Sequence, residues 1–153
     1  MSKGKILVVD DELFVRDLLL EFLGREGFEV VAVESGERAL ETIKANVFQI
    51  ALIDLKMPGI SGLETLKEIR KISPLTQNII MTGYPTIESS IEALRSGAYD
   101  YVVKPFKLSD LKASIDKACQ EYNLKAEIEK LRERIKNLEE ELKKYPKVNK
   151  NSS

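Results

Sequence analysis

Two consecutive aspartates, Asp10 and Asp11, follow the apolar run Lys5-Ile6-Leu7-Val8-Val9. A third, Asp54, closes Gln49-Ile50-Ala51-Leu52-Ile53, and Lys104 follows Tyr101-Val102-Val103. Each run reads as a strand, and a parallel α/β sheet gathers its functional residues at the carboxyl ends of its strands. Carboxylates from two neighbouring strands would meet there with an ammonium beside them. Hard divalent cations prefer oxygen ligands, so such a cluster could hold a cation and a phosphoryl group together. The chemistry it would support is phosphoryl transfer.

Each residue also has a plainer reading. Acidic residues suit the first turn of a helix, and one aspartate after a strand would be unremarkable. Two, matched by Asp54, favour a metal site. Asp54 precedes the Met57-Pro58-Gly59 turn, so it could hydrogen-bond its own turn; the alternative is a nucleophilic carboxylate that forms an aspartyl phosphate. A bound Mg²⁺ would offset the mutual repulsion of the carboxylates and neutralise charge on the incoming phosphoryl group. Thr82 and Gly83 follow Asn78-Ile79-Ile80-Met81. A hydroxyl there can donate to a phosphoryl oxygen, and glycine permits close backbone approach, although threonine at a strand end is common. A lone strand-end lysine is usually solvated; beside three carboxylates Lys104 becomes a point-charge clamp for a phosphoryl group. Pro105 biases Lys104 toward extended backbone and leaves the isomer of their peptide bond open.

The elements that must position these residues follow from periodicity. Apolar runs at 6–9, 28–33, 49–54, 78–82 and 101–103 alternate with helical patterns at 13–25, 36–46, 63–72 and 86–96, and a last helix begins near Leu108. Leu18, Leu19, Phe22 and Leu23 would form the apolar face of the first helix, and Ala39, Leu40 and Ile43 that of the second. Gly97 would be a left-handed cap. Five β-α units with short apolar strands predict a doubly wound parallel sheet, buried on both faces. The flavodoxin-like order 2-1-3-4-5 makes strands 1 and 3 neighbours, so that Asp10, Asp11 and Asp54 meet at the switch point.

Bulk properties narrow the function. A chain of 153 residues with 43% hydrophobic and 32% charged residues fits one soluble domain with an appendage. Lys+Arg of 24 against Asp+Glu of 25 gives a net charge of -1, without the basic excess of nucleic-acid-binding domains. The first apolar run is cut short by Asp10, so no signal peptide is expected, and no run approaches the length of a membrane span. A single cysteine, Cys119, fits a reducing cytoplasm. The absence of histidine rules out a histidine base, ligand or phosphodonor within the chain.

The segments Ile6-Leu7-Val8-Val9-Asp10-Asp11-Glu12, Ile53-Asp54-Leu55-Lys56-Met57-Pro58-Gly59, Met81-Thr82-Gly83-Tyr84 and Tyr101-Val102-Val103-Lys104-Pro105-Phe106 together resemble the receiver domain of two-component response regulators over roughly residues 4–121. The resemblance implies that Asp54 is the phosphoacceptor for a sensor histidine kinase. It implies that Asp11, Asp54 and the Lys56 backbone carbonyl ligate Mg²⁺, for which Mn²⁺ can substitute, while Asp10 assists through water. Thr82 and Lys104 would bind the phosphoryl oxygens, and Tyr101 would be the aromatic switch that turns inward as Thr82 moves. Such a domain catalyses only its own phosphorylation and dephosphorylation and is not otherwise an enzyme. Lys56 and Tyr84 fall where the family varies, and that variation tunes the lifetime of the phosphoryl group. The run from Tyr99 to Phe106, leading into a long helix, is similar to receivers of the NtrC type, which implies a transcriptional output dependent on sigma-54. Neither a Gly-x-x-x-x-Gly-Lys-Ser/Thr phosphate loop nor a helix-turn-helix follows, so a regulatory fragment and a stand-alone regulator both fit. A haloacid-dehalogenase-like phosphatase also uses a strand-end aspartate, Mg²⁺, threonine and lysine, but wants a second aspartate where this chain has Lys56. A pseudo-receiver serving only dimerisation is disfavoured by the intact acidic cluster.

Beyond the receiver, at 122–145, Leu124, Ile128, Leu131, Ile135, Leu138 and Leu142 recur at alternating spacings of four and three. Isoleucine at two a positions with leucine at d favours a parallel two-stranded coiled coil. In register, Glu127 faces Arg132 of the other chain and Arg134 faces Glu139, both attractive, whereas an antiparallel pair would bring Arg134 toward its own copy. This predicts a parallel homodimer through residues 124–145. The polar tail, 146–153, is expected to be disordered.

Overall fold

A computed structural model describes residues 2–145 of the chain. Five strands alternate with five helices: β1 (Lys5–Val9), α1 (Leu13–Arg25), β2 (Glu29–Val33), α2 (Gly36–Ala45), β3 (Ile50–Asp54), α3 (Gly62–Ile72), β4 (Gln77–Thr82), α4 (Ile87–Arg95), β5 (Asp100–Val103) and α5 (Leu108–Leu142). All strand pairs are parallel and their order is β2-β1-β3-β4-β5, the order expected from the sequence.

The period-two alternation of the strands divides the core. Leu7, Val9, Ala51, Ile53 and Ile80 point to one face, where α2, α3 and α4 cover them with Ala39, Ile43, Leu66, Ile69 and Ala93. Ile6, Val8, Ile50, Leu52 and Ile79 point to the other, against Leu19 and Leu23 of α1 and Leu111, Ile115 and Ala118 of α5. Strands β1, β3 and β4 are buried on both faces apart from half-buried Lys5. The edge strands depart from that expectation: β2 is half-buried over most of its length, and Val103 of β5 is exposed, because an edge strand has a neighbour on one side only. Leu18 also departs. It lies at the margin of the α1 stripe, 36% exposed, while Leu19 and Leu23 are fully enclosed.

Caps define the helix ends. The side chains of Ser35, Ser61 and Thr86 accept the backbone N–H three residues on at the starts of α2, α3 and α4, satisfying donors that have no partner within the helix. Gly97, at φ 100°, takes the left-handed cap position after α4.

The chain divides into two compact units, residues 1–122 and 123–153. In the second, the heptad residues Leu124, Ile128, Leu131, Ile135, Leu138, Leu142 and Tyr145 are all at least 46% exposed. The polar tail from Pro146 lies outside the described residues. Among the described residues no helix is long and apolar enough to cross a membrane.

One packing constraint bears directly on the acidic cluster. A Cβ added at Gly62 would lie 2.1 Å from the Asp54 carbonyl oxygen and 2.7 Å from Leu55 Cα, both backbone atoms that cannot rotate away. Gly62→Ala is expected to cost about 1–3 kcal/mol, measured by urea denaturation.

Candidate functional site

Register brings the chemistry together. Val9 pairs with Ile53, Asp54 with Met81, and Thr82 with Val103. Asp10 and Asp54 therefore leave neighbouring strands side by side. Thr82 lies one step beyond the partner of Asp54, and Lys104 one step beyond the partner of Thr82. Hydrogen bonds carry the ladder past the strand ends: Leu55 N–H donates to the Met81 carbonyl and Lys104 N–H to the Thr82 carbonyl, both at 2.8 Å. The Lys104–Pro105 peptide bond is cis.

The carboxylates of Asp10, Asp11 and Asp54 each offer an oxygen within 4.8 Å of the others. Asp10 is fully buried and both of its carboxylate oxygens are engaged. Oδ1 accepts the Glu12 N–H at 2.9 Å and Oδ2 accepts from Lys104 Nζ at 2.6 Å. Lys104 Nζ also lies 3.5 Å from Asp54 Oδ1 and 4.0 Å from Glu12 Oε1. An open cavity of about 340 Å³ is lined by Asp11, Glu12, Asp54, Lys56, Thr82, Gly83, Tyr84 and Lys104. Asp10 sits behind this wall, whereas Asp11 and Asp54 face the opening.

Burial is the largest cause of a raised Asp54 pKa, from 3.8 to about 6; the charges of Asp10 and Asp11 add to it and Lys104 opposes. For Lys104, burial alone would lower the pKa, but the hydrogen bond and charge of Asp10, with Asp54 and Glu12, outweigh it and raise the value above its ordinary level. The donor set suits Mg²⁺. It consists of carboxylate oxygens with no histidine or cysteine among them, and Mg²⁺ commonly takes one or two carboxylates and keeps several waters. Asp11, exposed, and Asp54, buried at the cavity wall, line the same cavity and meet that requirement.

Other sequence-predicted residues fall around this cluster. Thr82 is buried, and its Oγ1 accepts the Tyr84 N–H at 3.1 Å, leaving the hydroxyl proton to donate. Beside it, the space where a Gly83 Cβ would stand is open: apart from its chain neighbours, no protein atom lies within 4 Å. Lys56 lines the cavity with Nζ 4.9 Å from the centroid of the Tyr84 ring, a cation–π contact joining the loops after β3 and β4. Tyr101 lies outside the cavity; half-buried against the α2–α4 side of the core, it shares a 2.7 Å hydrogen bond with Ser89 Oγ.

Sequence reasoning missed Glu12 as a partner of Lys104, Ser89 as the partner of Tyr101, and Arg16, whose Nη1 donates to the Asp10 carbonyl at 2.8 Å. Glu12 adjoins the aspartate pair and could have been suspected. The other two depend on helix phase and left no signal.

The raised Asp54 pKa has a consequence for stability. A carboxyl that binds its proton more tightly folded than unfolded destabilises the fold once ionised, and that cost develops as pH rises from about 4 through 6. Asp54→Asn is therefore expected to stabilise the metal-free protein by about 1–2 kcal/mol at pH 7 and to change little at pH 4. Denaturant titrations at the two pH values check this.

The model of the response regulator receiver domain matches residues 6–116. The chain is 40% identical over 113 residues to the transcriptional regulatory protein ZraR of Escherichia coli K12, covering 74% of this chain and 26% of ZraR. It spans about a quarter of the length of the curated relatives it matches. Among solved structures, NtrX from Brucella abortus superimposes with a TM-score of 0.79 at 34% identity, over 86% of this chain and 30% of that one. The response regulator TrrA from Thermotoga maritima, in complex with Mg²⁺-BeF, superimposes with a TM-score of 0.69 at 40% identity, over 77% of this chain and 99% of that one. The strand order, the three aspartates and the lysine thus stand on a scaffold shared with these response regulators, and the chain belongs to the response regulator receiver domain family.

Proposed function

We propose that Asp54 accepts a phosphoryl group from the phosphohistidine of a cytoplasmic sensor kinase. The observation that carries this reading is the position of Lys104, whose ammonium lies 2.6 Å from Asp10 and 3.5 Å from Asp54 at the wall of the same cavity. An oxygen of Asp54 attacks phosphorus in line, the bond from phosphorus to the imidazole nitrogen breaks, and the electron pair leaves on the imidazole. Lys104 pairs with the phosphoryl oxygens as the phosphoryl group moves onto Asp54, and the Thr82 hydroxyl donates to one of them. Asp11, Asp54 and the Lys56 carbonyl, with Asp10 assisting through water, would hold Mg²⁺, or Mn²⁺ in its place, which would supply the positive charge that lets three carboxylates and a phosphoryl group share the site.

The switch follows from contacts outside the cavity. Drawing Thr82 toward the phosphoryl group alters the Thr82-Gly83-Tyr84 turn. Tyr101 sits beside that turn's helix, tied to Ser89 in the capping box of α4, and follows as the aromatic switch. The bistable element is this turn together with Tyr101. The names of the curated relatives support a transcriptional output, and the resemblance to NtrC-type receivers favours one dependent on sigma-54. Residues 124–145 form a parallel homodimer whose packing the phosphoryl group alters.

Intact-mass spectrometry after incubation with acetyl phosphate and Mg²⁺ is expected to show one added phosphoryl group. Asp54→Asn should add none, and chelation of Mg²⁺ should suppress the reaction in the wild type. One phosphoryl group on Asp54→Asn would show that the acceptor lies elsewhere.

Light scattering over a dilution series tests the dimer. The wild type is expected at twice the monomer mass, with an affinity or packing that responds to Mg²⁺ and beryllofluoride, and Leu131→Lys at the monomer mass. A wild type that stays monomeric at every concentration contradicts the coiled coil.

A further inference from the structure

The turn that carries the aspartate pair is held in an unusual way. Glu12 is the N-cap of α1, yet its side chain makes no capping hydrogen bond, and the first turn of α1 contains no acidic residue. The turn is fastened through Asp10 instead. Asp10 N–H donates to the Val33 carbonyl at 3.1 Å, its Oδ1 accepts the Glu12 N–H, and its carbonyl accepts from Arg16 Nη1 at 2.8 Å. Arg16 lies one turn into α1, with its own N–H donating to the Glu12 carbonyl at 3.1 Å. It thus grips the loop from both ends, by its backbone and by its guanidinium.

The grip falls at a telling place. The Asp10 carbonyl belongs to the peptide group that joins Asp10 to Asp11. Because that group is planar, fixing its oxygen fixes the direction in which the Asp11 backbone leaves. Asp11 is exposed, so packing does not aim its carboxylate, and the orientation of the preceding peptide plane must. Arg16 is half-buried, and its guanidinium is directed to a backbone carbonyl, an acceptor suited to holding geometry rather than to balancing charge.

We infer that Arg16 is a positioning residue for the metal site, holding the Asp10–Asp11 peptide so that Asp11 meets Asp54 across the cavity. The inference rests on the reading of Asp11 and Asp54 as Mg²⁺ ligands. It can be separated from a general electrostatic role because the two predict opposite signs. Removing a positive charge near an acidic cluster deepens the negative potential and tightens cation binding. Removing a strut that orients a ligand weakens it, typically by 10–100-fold for groups that hold metal ligands in place.

The test is calorimetric Mg²⁺ titration of the metal-stripped full chain, comparing wild type, Arg16→Met, Arg16→Lys and Asp11→Asn. Arg16→Met is expected to bind Mg²⁺ about ten-fold more weakly, with Arg16→Lys, which keeps one donor, in between. In the metal-free state, the Glu12 amide should exchange faster in Arg16→Met than in wild type. Equal or tighter Mg²⁺ binding by Arg16→Met overturns the inference while leaving the metal site intact. Wild type that binds no Mg²⁺, or Asp11→Asn that binds as wild type does, overturns the metal reading and this inference with it.

Discussion

The crowding of like charges at one end of the sheet is the constraint on which the rest of the molecule depends. Three carboxylates offer oxygens within 4.8 Å of one another, and the Lys104 ammonium is hydrogen-bonded to the deepest of them. Burial first, and then the charges of Asp10 and Asp11, raise the pKa of Asp54 to about 6 against the opposing charge of Lys104. Such a cluster is costly in isolation, because burying charge without a partner opposes folding. The five apolar strands and their helices supply the stability that tolerates it. On the proposed reading, this crowding of charge would prepare the site for a divalent cation and for a phosphoryl group that needs both metal and ammonium beside it.

The cluster is also where rigid and movable parts meet. Asp10 and Asp54 issue from fully buried strand ends, and Asp54 is backed by the α3 turn at Gly62. Thr82, Gly83 and Tyr84 issue into the turn before α4, a helix with a single buried residue, Ala93. Few buried contacts mean a low cost of local rearrangement. The polar ties on this side are discrete and breakable: Tyr101 to Ser89, Lys56 to the Tyr84 ring, and Arg70 to the Gly97 carbonyl at 3.1 Å. On the proposed reading, a phosphoryl group that redirects the Thr82 hydroxyl would therefore act on the less deeply packed half of the site.

Much of this was legible before the structure. Strand-end aspartates and lysine are readable because parallel sheets place strand ends in one plane, and runs such as Ile50 to Ile53 leave little doubt about where a strand lies. The order of the strands followed from five β-α units, and the cap at Gly97 from the composition of its turn. What stayed hidden depended on helix phase and long-range partners. Leu18 matches the apolar period of α1 as well as Leu19 does, yet a rotation of one residue places it at the margin. Ser89 and Arg16 look like ordinary helix-surface residues until the fold brings Tyr101 and the Asp10 carbonyl to them.

The most direct test of the central claim is thermal unfolding of the metal-stripped protein across a Mg²⁺ titration at pH 7. A cation that relieves the crowded carboxylates binds the folded state, so the midpoint should climb with Mg²⁺. The gain should approach about 2.7 kcal/mol when Mg²⁺ exceeds its dissociation constant a hundredfold, and it should be largely lost in Asp11→Asn. A wild-type midpoint indifferent to Mg²⁺ would contradict the account, because the cluster would then be a set of tolerated charges and not a site built to be filled.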